Sequence, residues 1–178
     1  MSDNLERLWA GWRAAYMVSG VGPPAMADEP AAIEAHAPQC VMCQVIASAS
    51  EVPTRHVHQG GLAVVVMNAF PYNNGHVLVL PRRHVDRVEA LDDDERAEFW
   101  QLVTDATTAL RRAYQPDGIN MGINEGRAAG AGLPDHLHAH VLPRWFGDTS
   151  FTTTVAGTRV IPEDLEASAA RIRDVWPR

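Results

Sequence analysis

Short apolar runs recur through the middle of the chain, with turn-forming residues between them. Runs of this length between Gly, Pro and Asn are typical of strands with a buried face. The predicted strands and extended pieces are residues 62–68, 75–81, 118–126, 136–143, 151–157 and 158–162. Most of them follow one another without a crossover helix, which favours an antiparallel sheet over a parallel one.

Three other segments space apolar residues at helical intervals. They are residues 5–17, 91–114 and 162–176. The middle segment has the strongest helix signals, because acidic residues crowd its first turn, Arg111 and Arg112 lie near its end, and Pro116 follows. We expect the last helix to begin at Pro162 or Glu163.

These elements together predict one α+β domain whose helices are segregated from the sheet strands. Residues 1–37 combine an N-terminal helix with a Gly/Pro/Ala-rich extension, and residues 38–146 form the core. Residues 147–178 are expected to add a strand segment and a closing helix. A chain of 178 residues is long enough for one compact domain with a buried core.

Composition and charge exclude several classes of partner. The net charge of −7 argues against a nonspecific nucleic-acid binder, which carries a basic surplus. No apolar run approaches the roughly 18–20 residues of a membrane span, and the first twenty residues lack the pattern of a signal peptide. We therefore predict a cytoplasmic protein without a nucleic-acid or membrane partner.

One predicted strand contains three of the eight histidines at every second position, namely His136, His138 and His140. Successive strand residues point to opposite faces, so the three imidazoles share one face while the apolar residues between them pack on the core. Near neutral pH, histidine serves as a nucleophile, a general acid or a metal ligand. The preceding small-residue loop, residues 127–135, leaves backbone N–H groups uncovered for an anion, which favours phosphoryl or nucleotidyl transfer.

The only two cysteines, Cys40 and Cys43, have the spacing of half a tetrahedral zinc site. The spacing alone leaves three interpretations open: a metal site, a redox pair and a reduced pair without metal. The redox pair is the least favoured of the three, because no βαβ pattern surrounds these residues.

Two further polar clusters are assigned structural roles. His56 and His58 alternate at a predicted strand or turn start, and we expect both to face solvent. The acidic run at residues 92–95 is expected to begin a helix and not to bind a cation, because acidic side chains stabilise helix N-termini.

The segment HLHAHVL resembles the His-φ-His-φ-His-φ-φ signature of the histidine triad superfamily, in which φ is an apolar residue. The upstream segments NGHVLVLPRRH and NEG are similar to further motifs of this family, in the same order, so the resemblance covers roughly residues 38–146. The segments at 5–17 and 143–162 look most like the actinobacterial diadenosine tetraphosphate phosphorylase branch. The resemblance implies an antiparallel sheet of about five strands.

The resemblance also implies an enzyme that cleaves a dinucleoside polyphosphate, or a related nucleotide, at the α-phosphate with water or phosphate as acceptor. His138 matches the nucleophile that forms a nucleotidyl-histidine intermediate. His140 matches a residue that orients the phosphate and assists the leaving group, and His76 matches a histidine close to the site. The matching substrate-binding positions are Asn68 near the ribose, Asn124 and His140 at the phosphate, Gly132 and Leu133 in the loop, and Trp145.

Some members of the superfamily bind zinc through a Cys-x-x-Cys pair, a histidine after an upstream strand and the first triad histidine. The matching residues are Cys40, Cys43, His84 and His136, and the resemblance implies that they hold a structural zinc ion. It further implies a homodimer in which the sheets of two subunits adjoin.

The chain departs from the family pattern at Gly132, where many members have Gln or Ser four residues before the first histidine. Neither Ala131 nor Leu133 supplies a hydroxyl or amide side chain in its place. Two alternatives to the polyphosphate-cleaving enzyme therefore stay open: a nucleoside phosphoramidase, and a nucleotide-binding module with little turnover.

Overall fold

The structure is a computed structural model that describes residues 39–48, 55–149, 151–156 and 160–177. Within them the helices are α1 (Val41–Ala47), α2 (Asp93–Tyr114), α3 (Phe151–Ala156) and α4 (Leu165–Asp174), and the strands are β1 (His56–Gln59), β2 (Ala63–Met67), β3 (Val77–Pro81), β4 (Gly118–Ile123) and β5 (Ala139–Arg144). The predicted N-terminal helix and the extension that follows it lie outside the described residues. None of the described helices combines the length and the apolar character that a membrane crossing requires.

The five strands form one sheet in the order β1-β2-β3-β5-β4, and every neighbouring pair is antiparallel. The α+β class and the antiparallel sheet of about five strands are therefore confirmed. In the centre of the sheet, His140 of β5 lies opposite Leu78 of β3 on one side and Gly122 of β4 on the other. Strand β5 begins later than the sequence predicts, so His136 and His138 lie just before it.

Helix α2 covers one face of the sheet. The Asp92 carboxylate accepts from the N–H of Glu95 and the Glu95 carboxylate accepts from the N–H of Asp92, so the acidic run caps the helix as predicted. A capping side chain of this kind is worth about 1 kcal/mol. One face of the helix packs into the main core, and its buried apolar residues are Phe99, Leu102, Val103, Ala106, Ala109 and Leu110.

Helix α1 packs on the opposite face of the sheet. Its Met42 is buried in a second apolar cluster formed with residues of the two central strands, Val64, Val66, Leu78 and Leu80. This packing anchors the segment that contains Cys40 and Cys43 to the sheet.

The loop between β2 and β3 is fixed against the end of α2 at Gly75. This residue has a φ of +73°, and a Cβ added to it would lie 2.7 Å from the Tyr114 ring. Only glycine satisfies both the backbone conformation and the close approach. The contact therefore determines where the chain enters β3, directly before which His76 lies.

The strand predicted at residues 151–157 is wrong, because Phe151–Ala156 form the short helix α3. Thr, Val and Phe favour a strand mainly where a neighbouring strand or face packs against them, and no described strand pairs with this segment. Of the second extended piece, 158–162, residues 160–162 have no regular secondary structure and the rest lies outside the described residues. After residue 146, the described part of the chain therefore contains two helices, α3 and α4, and lacks the predicted strand segment.

The closing helix is present, but it begins later than the sequence predicts. Asp164 is its N-cap, and the Asp164 carboxylate accepts from the N–H of Ala167 at 2.8 Å. Glu163, which was expected at the helix start, instead accepts from the Tyr114 hydroxyl at 2.6 Å. A carboxylate at residue 164 satisfies the free N–H groups of the first turn, which Pro162 cannot do.

The prediction that His56 and His58 face solvent is also wrong. A register shift between them pairs His56 with Val66 and His58 with Val65, so the two histidines fall on opposite faces of β1. His56 is buried, and the ring of His58 stacks on Trp176 at 4.9 Å. A bulge of this kind depends on strand pairing, which the alternation of residues does not reveal.

Candidate active site and metal centre

Four side chains from separate parts of the chain converge at one end of the sheet. Helix α1 and the residue before it contribute Cys43 and Cys40, the segment after β3 contributes His84, and the segment before β5 contributes His136. One ligand atom from each lies within 4.8 Å of the others. The structure therefore brings together all four residues of the predicted metal site.

The distances within this cluster match those of a tetrahedral site. The Cys43 sulfur lies 3.3 Å from Nδ1 of His84 and 3.4 Å from Nδ1 of His136, and these two nitrogens are 3.3 Å apart. The Cys40 sulfur lies 3.5 Å from Nδ1 of His136. Metal bonds of about 2.3 Å to sulfur and about 2.1 Å to nitrogen place tetrahedral ligands about 3.3–3.8 Å apart. Four of the six distances between ligand atoms thus match this range, and all six are within 4.8 Å, so the arrangement suits one tetrahedral metal ion.

Protonation at the cluster also suits metal binding. Nε2 of His136 donates to the carbonyl oxygen of Pro81 at 3.0 Å, which leaves the lone pair of Nδ1 directed at the cluster. Burial lowers the pKa of His136 to about 4, so its ring is neutral at pH 7. Burial and the neighbouring Cys40 raise the pKa of Cys43 to about 11, so a thiolate here requires a cation beside it.

The ring of His138 is held in one tautomer by the main chain. Its Nδ1 donates to the carbonyl oxygen of His136 at 2.8 Å, and because a carbonyl only accepts, the proton of the neutral ring lies on Nδ1. Nε2 therefore has a free lone pair. His138 is 5% exposed, so this lone pair is largely shielded from solvent.

His76 and His140 form a hydrogen-bonded pair beside His138. The main-chain N–H of Tyr72 donates to Nδ1 of His76 at 3.0 Å, so the proton of the neutral His76 ring lies on Nε2. That Nε2 donates to Nδ1 of His140 at 2.9 Å. The proton of neutral His140 consequently lies on Nε2, where it is available to a bound molecule. Burial, followed by the neighbouring His138, lowers the pKa of His140 to about 4, so the His140 ring is neutral at pH 7.

Tyr72 is a site residue that the sequence analysis missed. Besides its N–H bond to His76, its ring stacks on the His140 ring at 5.7 Å between centroids. Asn68, a predicted substrate-binding residue, lies in the same loop, and its Nδ2 is 3.3 Å from Nδ1 of His76. The turn residues of this loop are visible in the sequence, but their contact with His140 depends on the packing of two strands.

The other predicted substrate residues lie at separate points of the structure. Asn124 is half-buried directly after β4, and Gly132 is exposed in the small-residue loop. Leu133 lines a cavity of about 210 Å³ beside the metal cluster, next to Cys40 and His136. The ring of Trp145 packs edge-on against Tyr114, 6.1 Å between centroids. The substrate contacts of these residues stay predictions.

Comparisons with known proteins agree with this arrangement. The model of the HIT domain matches residues 43–147. The AP-4-A phosphorylase of Mycobacterium tuberculosis strain H37Rv is 35% identical over 176 residues, which cover 99% of this chain and 87% of that protein. The adenosine 5'-monophosphoramidase of Schizosaccharomyces pombe is 25% identical over 133 residues, 75% of this chain and 95% of that protein.

Among solved structures, a zinc-bound histidine triad family protein from Mycobacterium smegmatis superposes with a TM-score of 0.64. It is 27% identical, and the match covers 78% of this chain and 94% of that one. The family model spans more than half of the chain and includes all three histidines of the motif. The chain therefore belongs to the HIT domain family, the histidine triad proteins.

Proposed function

We propose that the protein is a nucleotidyl-transfer enzyme that cleaves a dinucleoside polyphosphate at the α-phosphate. The observation that supports this most directly is the tautomer of His138, whose Nδ1 proton is bound to the His136 carbonyl so that Nε2 is free to act as a nucleophile. The similarity to an AP-4-A phosphorylase along nearly the whole chain supports this substrate class.

In the proposed first step, Nε2 of His138 forms a bond to the α-phosphorus and the bond from phosphorus to the bridging oxygen breaks. The products of this step are a nucleotidyl-histidine and the remaining polyphosphate fragment. Nε2–H of His140 donates a hydrogen bond to the phosphate, and its proton is positioned for the departing oxygen. In the second step, the oxygen of water or phosphate attacks the same phosphorus and His138 departs.

The acceptor is identified by incubating the protein with diadenosine tetraphosphate, with and without inorganic phosphate, and separating the products. We expect ATP in both reactions, accompanied by AMP when water is the acceptor and by ADP when phosphate is the acceptor. Nucleotide binding without any product would contradict the proposal and favour the binding-module alternative, in which turnover is lost.

The phosphoramidase alternative is supported by the similarity to the adenosine 5'-monophosphoramidase of fission yeast. The same attack by His138 on a phosphorus–nitrogen bond would release an amine in place of a polyphosphate. An assay with adenosine 5'-phosphoramidate separates the two functions. A kcat/KM on this substrate well above that on diadenosine tetraphosphate would reassign the reaction.

We further propose that Cys40, Cys43, His84 and His136 hold a structural zinc ion. The support is the set of near-tetrahedral distances among their ligand atoms, together with the zinc-bound relative from Mycobacterium smegmatis. Bound zinc would supply a crosslink between α1 and the segments that contain His84 and His136. With four protein ligands, no position is left for a reacting water.

We also propose that the protein is a homodimer whose subunits adjoin along β4. This strand pairs with β5 on one side, and within the described residues no strand covers its other edge. Met121 on this strand is 55% exposed, and an open edge of this kind is suited to pairing with a second chain. Light scattering that gives the mass of a monomer at micromolar concentration would contradict the dimer.

A further inference from the structure

Asp148 accepts hydrogen bonds from several sides at the end of β5. Nε and Nη2 of Arg144 donate to its two carboxylate oxygens at 2.6 and 2.8 Å, and the main-chain N–H of Trp145 donates at 3.1 Å. Nδ2 of Asn73 donates to Oδ2 at 2.9 Å. The side chain is 9% exposed, and the Arg144 guanidinium holds the pKa of Asp148 well below its usual range, so the carboxylate stays charged.

Asn73 belongs to the loop that contains Tyr72 and leads to His76. The Oδ1 of Asn73 accepts from the N–H of Asn74 at 3.1 Å, and its main-chain oxygen accepts from the N–H of His76 at 3.3 Å. Its Nδ2 also donates to the carbonyl oxygen of Pro143 at 3.4 Å. The position of Asn73 therefore determines the turn in which the Tyr72 N–H meets the His76 ring.

The strand pairing does not hold this turn against β5. The ladder between β3 and β5 ends at the pair Val77–Val141, so residue 73 and residues 143–148 lie beyond the last pair. The hydrogen bonds from Asn73 to Asp148 and Pro143 connect the two segments past that point. The side chains of Asn73 and Asp148 therefore connect the two segments beyond the last strand pair, close to the contact between His76 and His140.

We propose that Asp148 and Asn73 are positioning residues for the His76–His140 pair. The carboxylate of Asp148 holds Asn73, Asn73 holds the turn, and the turn keeps Nδ1 of His76 on the Tyr72 N–H. This arrangement leaves the His140 proton on Nε2. The expected effect on catalysis rests on the proposed nucleotidyl transfer. The expected effect on the His76 and His140 tautomers does not, because it is a property of the protein without substrate.

The decisive variant is Asn73→Asp, because it keeps an oxygen for the Asn74 N–H and replaces only the donor that faces Asp148 and Pro143. Asp148→Ala is the second variant and removes the acceptor instead. The matched control is Glu95→Gln, which disrupts the bidentate pair with Arg83 at 2.8 and 2.6 Å, a contact of similar length and burial at the start of α2.

The readout is the protonation pattern of the imidazole nitrogens in long-range proton–nitrogen-15 NMR spectra of the full chain. In the wild type and in Glu95→Gln, we expect His76 to be protonated on Nε2 and unprotonated on Nδ1. In Asn73→Asp and Asp148→Ala, we expect averaged nitrogen shifts from two tautomers at His76 and His140.

The second readout is kinetic. With diadenosine tetraphosphate, kcat of both variants should fall about tenfold while KM changes less than about twofold, because the variants lose the orientation of the His140 ring.

Unchanged nitrogen shifts at His76 and His140 in folded Asn73→Asp protein would overturn the inference, even if the wild type cleaves nucleotides. Altered shifts in a protein series that turns over no nucleotide would support the positioning role and contradict the proposed function. If Asp148→Ala does not fold, Asn73→Asp alone decides, because it leaves the contacts of Asp148 with Arg144 and Trp145 in place.

Discussion

His136 and His138 are two residues apart, yet the structure assigns their ring nitrogens in opposite ways. In His136, Nε2 donates to the carbonyl oxygen of Pro81 and Nδ1 faces the metal cluster. In His138, Nδ1 donates to the carbonyl oxygen of His136 and Nε2 is the free nitrogen. The nitrogen that the main chain leaves available is Nδ1 in His136, the proposed metal ligand, and Nε2 in His138, the proposed nucleophile.

The difference between the two residues lies in which ring nitrogen the main chain occupies. His136 and His138 are both buried. The two rings differ in which nitrogen a main-chain carbonyl oxygen accepts from: Nε2 in His136 and Nδ1 in His138. Because the acceptor for His138 is the carbonyl of His136, the proposed metal site and the proposed nucleophile share one peptide group.

Removal of the proposed nucleophile should have the largest effect. We expect His138→Gln to lower kcat for diadenosine tetraphosphate by at least about 10⁴-fold, because a glutamine side chain cannot form the proposed covalent intermediate. Rapid quenching and mass spectrometry should detect a nucleotidyl adduct in the wild type and none in the variant. His58→Gln, at a histidine stacked on Trp176 away from the pair, is the control. Retention of full activity in His138→Gln would show that the comparison assigns the wrong nucleophile.

Loss of a metal ligand should have the next largest effect, and mainly on stability. We expect Cys43→Ser to reduce bound zinc from one ion per chain to near zero in elemental analysis. A ligand present at a thousand times its Kd contributes about 4 kcal/mol to the free energy of unfolding, so a loss of this order is expected in urea. The double variant Cys40→Ser/Cys43→Ser should lose no more than the single one, since either change opens the tetrahedron. Wild-type protein without stoichiometric zinc would refute the metal assignment of His136.

The family resemblance implied the division of roles between His136 and His138, but the ring tautomers of the two residues could not be predicted from the sequence. The alternation at His136, His138 and His140 correctly predicted that the apolar residues between them pack in the core. The spacing of Cys40 and Cys43 indicated half a metal site. The family resemblance supplied His84 and His136 as the other two ligands, whereas the meeting of the ends of β3 and β5 is a property of the sheet and not of any local pattern.

The failures have a common physical cause. The bulge in β1 placed His56 and His58 on opposite faces, and the β-branched residues of α3 formed a helix because no described strand pairs with them. The tautomers depend on main-chain N–H and carbonyl groups, which every residue has and which no sequence motif marks. Sequence patterns therefore identified the candidate side chains, whereas the main-chain partners of their rings were found only in the fold.

The uncharged state of His140 should appear as a modest dependence of stability on pH. Burial holds the pKa of the folded state near 4, below the value of about 6.5 in the unfolded chain. Between these values the unfolded chain binds more protons, so this contribution is complete above about pH 6.5 and is lost as the pH falls to about 4. We expect the difference in Tm between wild type and His140→Asn to be larger at pH 7 than at pH 4.5. A constant difference would show that His140 titrates normally and that the pair with His76 is charged at acidic pH.

The smallest effect is expected at Gly132, where the chain departs from the family pattern. A Cβ at this position would meet no atom within 4 Å, so Gly132→Ser and Gly132→Ala should each change the free energy of unfolding by less than about 0.5 kcal/mol. If the backbone now binds the leaving phosphate alone, a serine hydroxyl adds one hydrogen bond, worth about 1 kcal/mol, and kcat should rise about fivefold in Gly132→Ser but not in Gly132→Ala. Equal rates in both variants would mean that the His140 proton already supplies all the leaving-group assistance. In that case the histidine side chains would be sufficient for catalysis, and no side chain from the loop that contains Gly132 would be needed.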